Sequence, residues 1–115
     1  MTDSASLRRL LLALPQASEE PHSDRRSFKT GAGSRRRTIL TLAPDETTVN
    51  FMFIPDEQTW TTSIAPEIFT PVPGGLGRMG ATTARLNDLT KADLTAAIDP
   101  IYRRLSLPKA KKRQT

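Results

Sequence analysis

The chain contains no cysteine, and only one histidine, one tryptophan and one tyrosine among its 115 residues. Without thiols there can be no disulfide, no thiolate nucleophile and no thiolate metal site. The lone His22 precludes a histidine-rich metal site, and neither HExxH nor GxxxxGK[ST] occurs. Long hydrophobic runs are missing as well: nothing approaches the roughly 18 residues of a membrane-spanning helix. Leu10 to Leu14 is far too short for one. It follows Arg8-Arg9, but Pro15 and Glu19-Glu20 stand where a secretion signal would need small residues, so it is expected to be a helix of the mature domain. Internal repeats are absent too. These absences point to a cytoplasmic protein with no membrane contact, no cofactor and no bound metal.

What is present suits one compact domain. Residues 1–108 are expected to form it, with 109–115 a basic, disordered tail. Hydrophobic residues make up 37% and charged residues 25%, enough for a single core layer between helices and a sheet. The formal net charge is +5, which favours encounter with polyanions such as nucleic acid. Seven of the seventeen basic residues lie in Arg35-Arg36-Arg37 and in the tail at Lys109, Lys111, Lys112 and Arg113. A solvated turn and a solubilising tail would account for them equally well.

Periodicity along the chain predicts the elements. Leu7, Leu10, Leu11 and Leu14 recur at helical spacing behind the caps Thr2, Asp3 and Ser4, and Pro15 ends that helix. A polar connector follows to about Asp24. Three strands are expected at Ser27 to Thr30, Thr38 to Leu42 and Thr48 to Ile54, joined by turns at Gly31-Ala32-Gly33-Ser34 and Ala43-Pro44-Asp45-Glu46. In the last strand Val49, Phe51 and Phe53 mark a core face, and Met52 and Ile54 lie on the other. Pro55 opens a short second helix, with Trp60 and Ile64 on its inner side, ending before Pro66. The stretch FTPVPGGLGRMGATTARL, Phe69 to Leu86, reads as a glycine-rich connection between strands at Ile68 to Val72 and Ala81 to Leu86. Thr90 and Asp93 form a capping box for a last helix. Its apolar spacing continues past Pro100, so one kinked helix is expected rather than two. The fold class is α+β: two layers in the order α-β(3)-α-β(2)-α around an antiparallel sheet.

Several of these pieces together resemble the MmcQ/YjbR family of small bacterial proteins, from about Leu7 to Lys109. The residues that carry the likeness are Ala13-Leu14-Pro15, His22, Arg25, Ser27-Phe28-Lys29, Pro55-Asp56-Glu57-Gln58, and Phe69, Pro71, Pro73 and Gly74. Gly77-Arg78, Gly80, Thr83, Arg85-Leu86 and Pro108-Lys109 complete it. Three positions depart from the family pattern: Ser23, Leu76 and Ala81 stand where aromatics are usual. The resemblance implies a fold like the type III secretion chaperones and a proposed double-wing mode of DNA binding, with β-hairpins reaching over the duplex. It also implies a structural role for His22 as a hydrogen-bond donor near Ser27.

The expected function is therefore non-enzymatic binding of DNA by a monomer, contacting phosphates electrostatically through basic hairpin tips. The residues expected to do so are Arg25, Lys29, Arg35, Arg36, Arg37, Arg78 and Arg85. Arg85 has two readings, an ion pair across the sheet to an acid such as Glu67 or a ligand contact. Trp60 and Tyr102, at helical spacing among apolar neighbours, read as core rather than as base-stacking platforms. Glu19, Glu20, His22 and Asp24 cluster in sequence, yet a turn explains them better than catalysis does. The alternative function is a protein-interaction module using Met52 and Ile54 on the outer sheet face.

Overall fold

A computed structural model describes residues 2–31, 33 and 36–106. The elements are α1 (Ser4–Leu12), β1 (Ala17–His22), β2 (Arg25–Thr30), β3 (Arg37–Leu42), β4 (Thr48–Phe51), α2 (Pro55–Ile64), β5 (Thr70–Pro71), α3 (Gly75–Arg78), β6 (Thr82–Arg85) and α4 (Lys91–Ser106). The six strands make one sheet in the order β1-β2-β3-β4-β6-β5, with every neighbouring pair antiparallel.

One face of that sheet is the core. Phe28, Leu40, Leu42, Val49 and Phe51 pack there against Leu7 and Leu11 of α1 and Leu94, Ala97, Ile98 and Ile101 of α4. The Phe51 ring stacks on Phe53 at 5.5 Å and tilts against Phe69 at 5.8 Å. A register shift opposite Phe28 and Lys29 adds Ile39 to β3, and both Ile39 and Leu40 are buried. α1 starts on Asp3, whose carboxylate accepts from the Ser6 N–H at 2.8 Å. The capping box of α4 closes reciprocally, Thr90 N–H to Asp93 Oδ2 and Asp93 N–H to Thr90 Oγ1, both at 3.0 Å. α4 is a single helix through Pro100.

Three expectations need correction. The stretch read as a polar connector is β1, an edge strand that pairs with β2 from Ala17↔Thr30 to His22↔Arg25. It carries almost no apolar alternation because one of its sides meets solvent and the other is filled by an ion-pair network. Arg8 binds Glu19 at 3.0 Å and Glu46 at 3.1 Å, while Arg26 binds Glu19 at 2.9 Å. Hydrogen bonding to Arg8 first, and to Arg26 next, holds the Glu19 carboxyl below its ordinary value against the opposing effect of burial. Secondly, Trp60 and Ile64 are not inner residues: they are 69% and 61% exposed, and α2 buries no side chain fully. Its inward positions are occupied instead by Gln58, Thr61 and Thr62, all half-buried. Tyr102, by contrast, is half-buried and packs against the core as expected, its hydroxyl 3.3 Å from the Pro15 carbonyl.

Thirdly, His22 is exposed at the end of β1, next to a two-residue turn, and makes no hydrogen bond to Ser27. Ser27 Oγ instead lies 3.2 Å from Thr38 Oγ1. No helix among the described residues is long and apolar enough to cross a membrane.

Candidate nucleic-acid interface

Strand alternation divides the basic residues between two faces. Opposite residues of an antiparallel pair point the same way. The rows through Phe28, Leu40, Phe51 and Thr82, and through Arg26, Leu42, Val49 and Ala84, therefore face the helices. The intervening positions face away: Ser18, Glu20 and His22 on β1, Arg25, Ser27 and Lys29 on β2, Thr38 and Thr41 on β3. Thr48 and Asn50 on β4, Thr83 and Arg85 on β6 and Thr70 on β5 complete that face. Its floor is thus built from small hydroxyl and amide side chains, with cations at its margins; Ser27 and Thr41 are buried and bonded within the protein, while Thr38, Thr48, Asn50 and Thr83 are partly exposed.

Of the seven expected contact residues, the fold brings four together on this open face. Arg25 lies across it, its Nε 2.9 Å from Thr41 Oγ1. Lys29 and Arg36 flank Glu20, at 3.7 Å and 2.6 Å. Arg85 occupies the same cross-strand row as Arg25, three inter-strand spacings or about 14 Å away. Its carboxylate partner is not Glu67 but Asp88, at 3.8 Å with both side chains largely exposed, so that pairing is weak. Arg37 falls on the other side, because it is opposite Thr30, which faces the helices. Arg35 and the basic tail lie outside the described residues.

Arg78 arrives by a different route. β2 and β5 run in the same direction, so the β2–β3 turn and the loop after β5 leave the sheet at one end, again about 14 Å apart. Arg78 is exposed there, with no carboxylate within 4.0 Å among the described residues. The loop itself is shaped by backbone crowding rather than by a phosphate. A Cβ on Gly77 would collide with the Val72 carbonyl, and one on Gly80, at φ 119°, with the Phe53 carbonyl. The Gln58 side-chain amide donates to the Gly77 carbonyl at 2.9 Å and to the Ala81 carbonyl at 3.1 Å, fastening the loop to α2.

Glu57, in the same Pro55-Asp56-Glu57-Gln58 segment, has a structural role as well. Glu57 accepts from the Ile54 N–H at 3.0 Å and from Arg104 at 2.9 and 3.0 Å, and Arg104 also donates to the Met52 carbonyl at 3.1 Å. Met52 is half-buried beside that contact and Ile54 caps α2, so the two do not form a continuous apolar patch on the open face. Nor do the departures at Ser23, Leu76 and Ala81 mark one groove. Ser23 is in the β1–β2 turn, at the opposite end and opposite edge of the sheet from Leu76 and Ala81. Glu19 and Glu20 are likewise separated, onto opposite faces of β1.

Sequence reading missed Glu20 as the acid on the open strands, and the Ser and Thr floor around it. The signal was there in the polar positions between Phe28, Leu40, Leu42, Val49 and Phe51, once β1 is known to pair with β2.

The sequence matches no protein-family model and no curated protein. Its fold is similar to the crystal structure of Deinococcus radiodurans protein DR2400, a DUF419 domain, with a TM-score of 0.65. Sequence identity is 18%, over 94% of this chain and 91% of that one. What the likeness establishes is the fold: a small α+β domain with an antiparallel sheet, like that of a bacterial DUF419 protein.

Proposed function

We propose that this protein is a cytoplasmic, MmcQ/YjbR-like monomer that binds duplex DNA without catalysis, laying the open face of its sheet along the phosphate backbone. The observation that carries the reading is the composition of that face. Arg25, Lys29, Arg36 and Arg85 border a floor of Ser, Thr and Asn, and Glu20 is the only acidic residue among the described strand positions that face it. Cations supply attraction and the partly exposed Thr38, Thr48 and Asn50 side chains supply phosphate hydrogen bonds, with no arrangement that would read base edges. The described strand positions on the face carry no Phe, Tyr or Trp on which unstacked bases could lie, which favours duplex over single strands. The double-wing element of the proposal is supported by β2 and β5 ending at the same end of the sheet, where the Arg78 loop follows β5.

The test is duplex binding measured across a salt series with Arg25→Ala, Lys29→Ala and Arg36→Ala, singly and combined. Each phosphate contact removed should lower the slope of log affinity against log salt by about 0.9. Arg37→Ala, on the helix side, should change it least. A combined variant with the parent's affinity and slope would remove the open face from the account.

A further inference from the structure

On the far side of the molecule α2 and α4 leave a groove of about 440 Å³ between them. Trp60 and Ile64, one helical turn apart, form its α2 wall; Ala96, Ala97 and Pro100 form its α4 wall, and Phe69 its floor. The asymmetry is that of an unfilled helix-packing site. One wall offers large side chains that are mostly in solvent, and the other offers small ones that permit close backbone approach. Pro100 has no N–H, so the Ala96 carbonyl loses its helical donor at the same wall.

The rim is acidic. Glu57 pairs with Arg104 near the end of α4, which puts Asp56 and Glu57 toward one end of the groove and Asp93, in the first turn of α4, toward the other. Asp56 has no ion-pair partner among the described residues. In a chain of net charge +5, this is a local reversal of sign. From Asp93 to Pro100 α4 rises about 10 Å, equal to two turns of a guest helix.

We propose that the groove binds a basic amphipathic helix of a partner protein, its apolar residues at i, i+3, i+4 and i+7 filling the space between Trp60, Ile64 and Ala97 and its terminal lysines or arginines meeting Asp56 and Asp93. This site is independent of the proposed DNA surface, since α4 covers the opposite face of the sheet.

Trp60 is the chain's single tryptophan, so its fluorescence reports directly on the groove. The probe is an acetylated, amidated leucine–lysine peptide of about 14 residues, long enough to be helical, with leucine at those four spacings. Its counterpart carries glutamate in place of every lysine. Titrating the intact protein should give a saturable blue shift with the lysine peptide and binding at least about tenfold weaker with the glutamate peptide. Ile64→Ser, at a side chain 61% exposed and so compatible with folding, should weaken the lysine peptide by about tenfold. Asp56→Asn, also exposed, should weaken it by about threefold. The proposal is overturned by the absence of a saturable shift, by equal or tighter binding of the glutamate peptide, which the net charge alone would favour, or by unaltered binding in Ile64→Ser.

Discussion

Two faces of one sheet are made from alternate residues of the same strands, and they differ in almost every respect. On the side of α1 and α4, Phe28, Leu40, Leu42, Val49 and Phe51 are no more than 1% exposed. On the other side the interleaved positions are Ser27, Thr38, Thr41, Asn50 and Thr83, with arginine and lysine at the margins. An antiparallel sheet tolerates a solvated face, so the polar set is not in itself unusual. Its lesson is in the sign of the charge: acids such as Glu19, Glu46 and Glu57 are paired on the helix side, which leaves the open side predominantly cationic.

The sharpest way to break this contrast is by stability. Phe28→Ala should cost about 3–5 kcal/mol in urea unfolding, from lost burial and the cavity left among Leu40, Ile98 and their neighbours. Asn50→Ala on the opposite face, half-buried and without a side-chain hydrogen bond among the described residues, should stay within about 0.5 kcal/mol. Similar costs for both would mean that the open face is packed against something.

Adjacent acids on β1 give the next comparison. Glu19→Gln should destabilise by roughly 1–3 kcal/mol near neutral pH, since it leaves Arg8 and Arg26 without their shared carboxylate. The sign with pH follows from the direction of the shift. The native Glu19 carboxyl is held below its ordinary value of 4.5, so the unfolded chain takes up that proton first as pH falls. Its stabilisation is complete above 4.5 and disappears as pH drops through the lowered native value, so the urea midpoint should fall in acid. Glu19→Gln should flatten that fall. A midpoint in the variant that still tracked the parent's acid limb would assign the effect elsewhere, with Glu46, Asp3 and Asp45, also lowered, as the remaining groups.

Glu20→Gln should have the smallest effect on folding and the opposite kind of consequence. Removing the negative charge between Lys29 and Arg36 frees both cations, and duplex DNA affinity should rise by about two- to fivefold at low salt. An unchanged or lower affinity would place the DNA contact away from the β1–β2 corner.

Local signals carried much of the architecture. Helical leucine spacing delimits α1, a Thr–Asp box opens α4, and alternation in Thr48 to Phe53 marks β4 and its core side, all of which depend on neighbours a few residues apart. Proline was handled correctly at Pro55 and Pro100 because each acts on its own turn of helix. β1 was illegible for a physical reason: an edge strand with Glu19 half-buried in an ion network and Pro21 within it has none of the apolar alternation by which strands are recognised. Trp60 was misplaced because helical spacing identifies a stripe but not whether another element covers it.

The amino-acid sequence by itself determined the absence of thiol chemistry, the positive charge, and most helix and strand positions, since these follow from composition and short-range patterning. Only the tertiary structure decided which basic side chains share a surface. Arg36 and Arg37 are neighbours in the chain, yet Arg36 reaches Glu20 on the open face while Arg37 is directed by its register toward the helices. Pairing across strands, with its two-residue period, sets that choice, and no window along a single strand contains it.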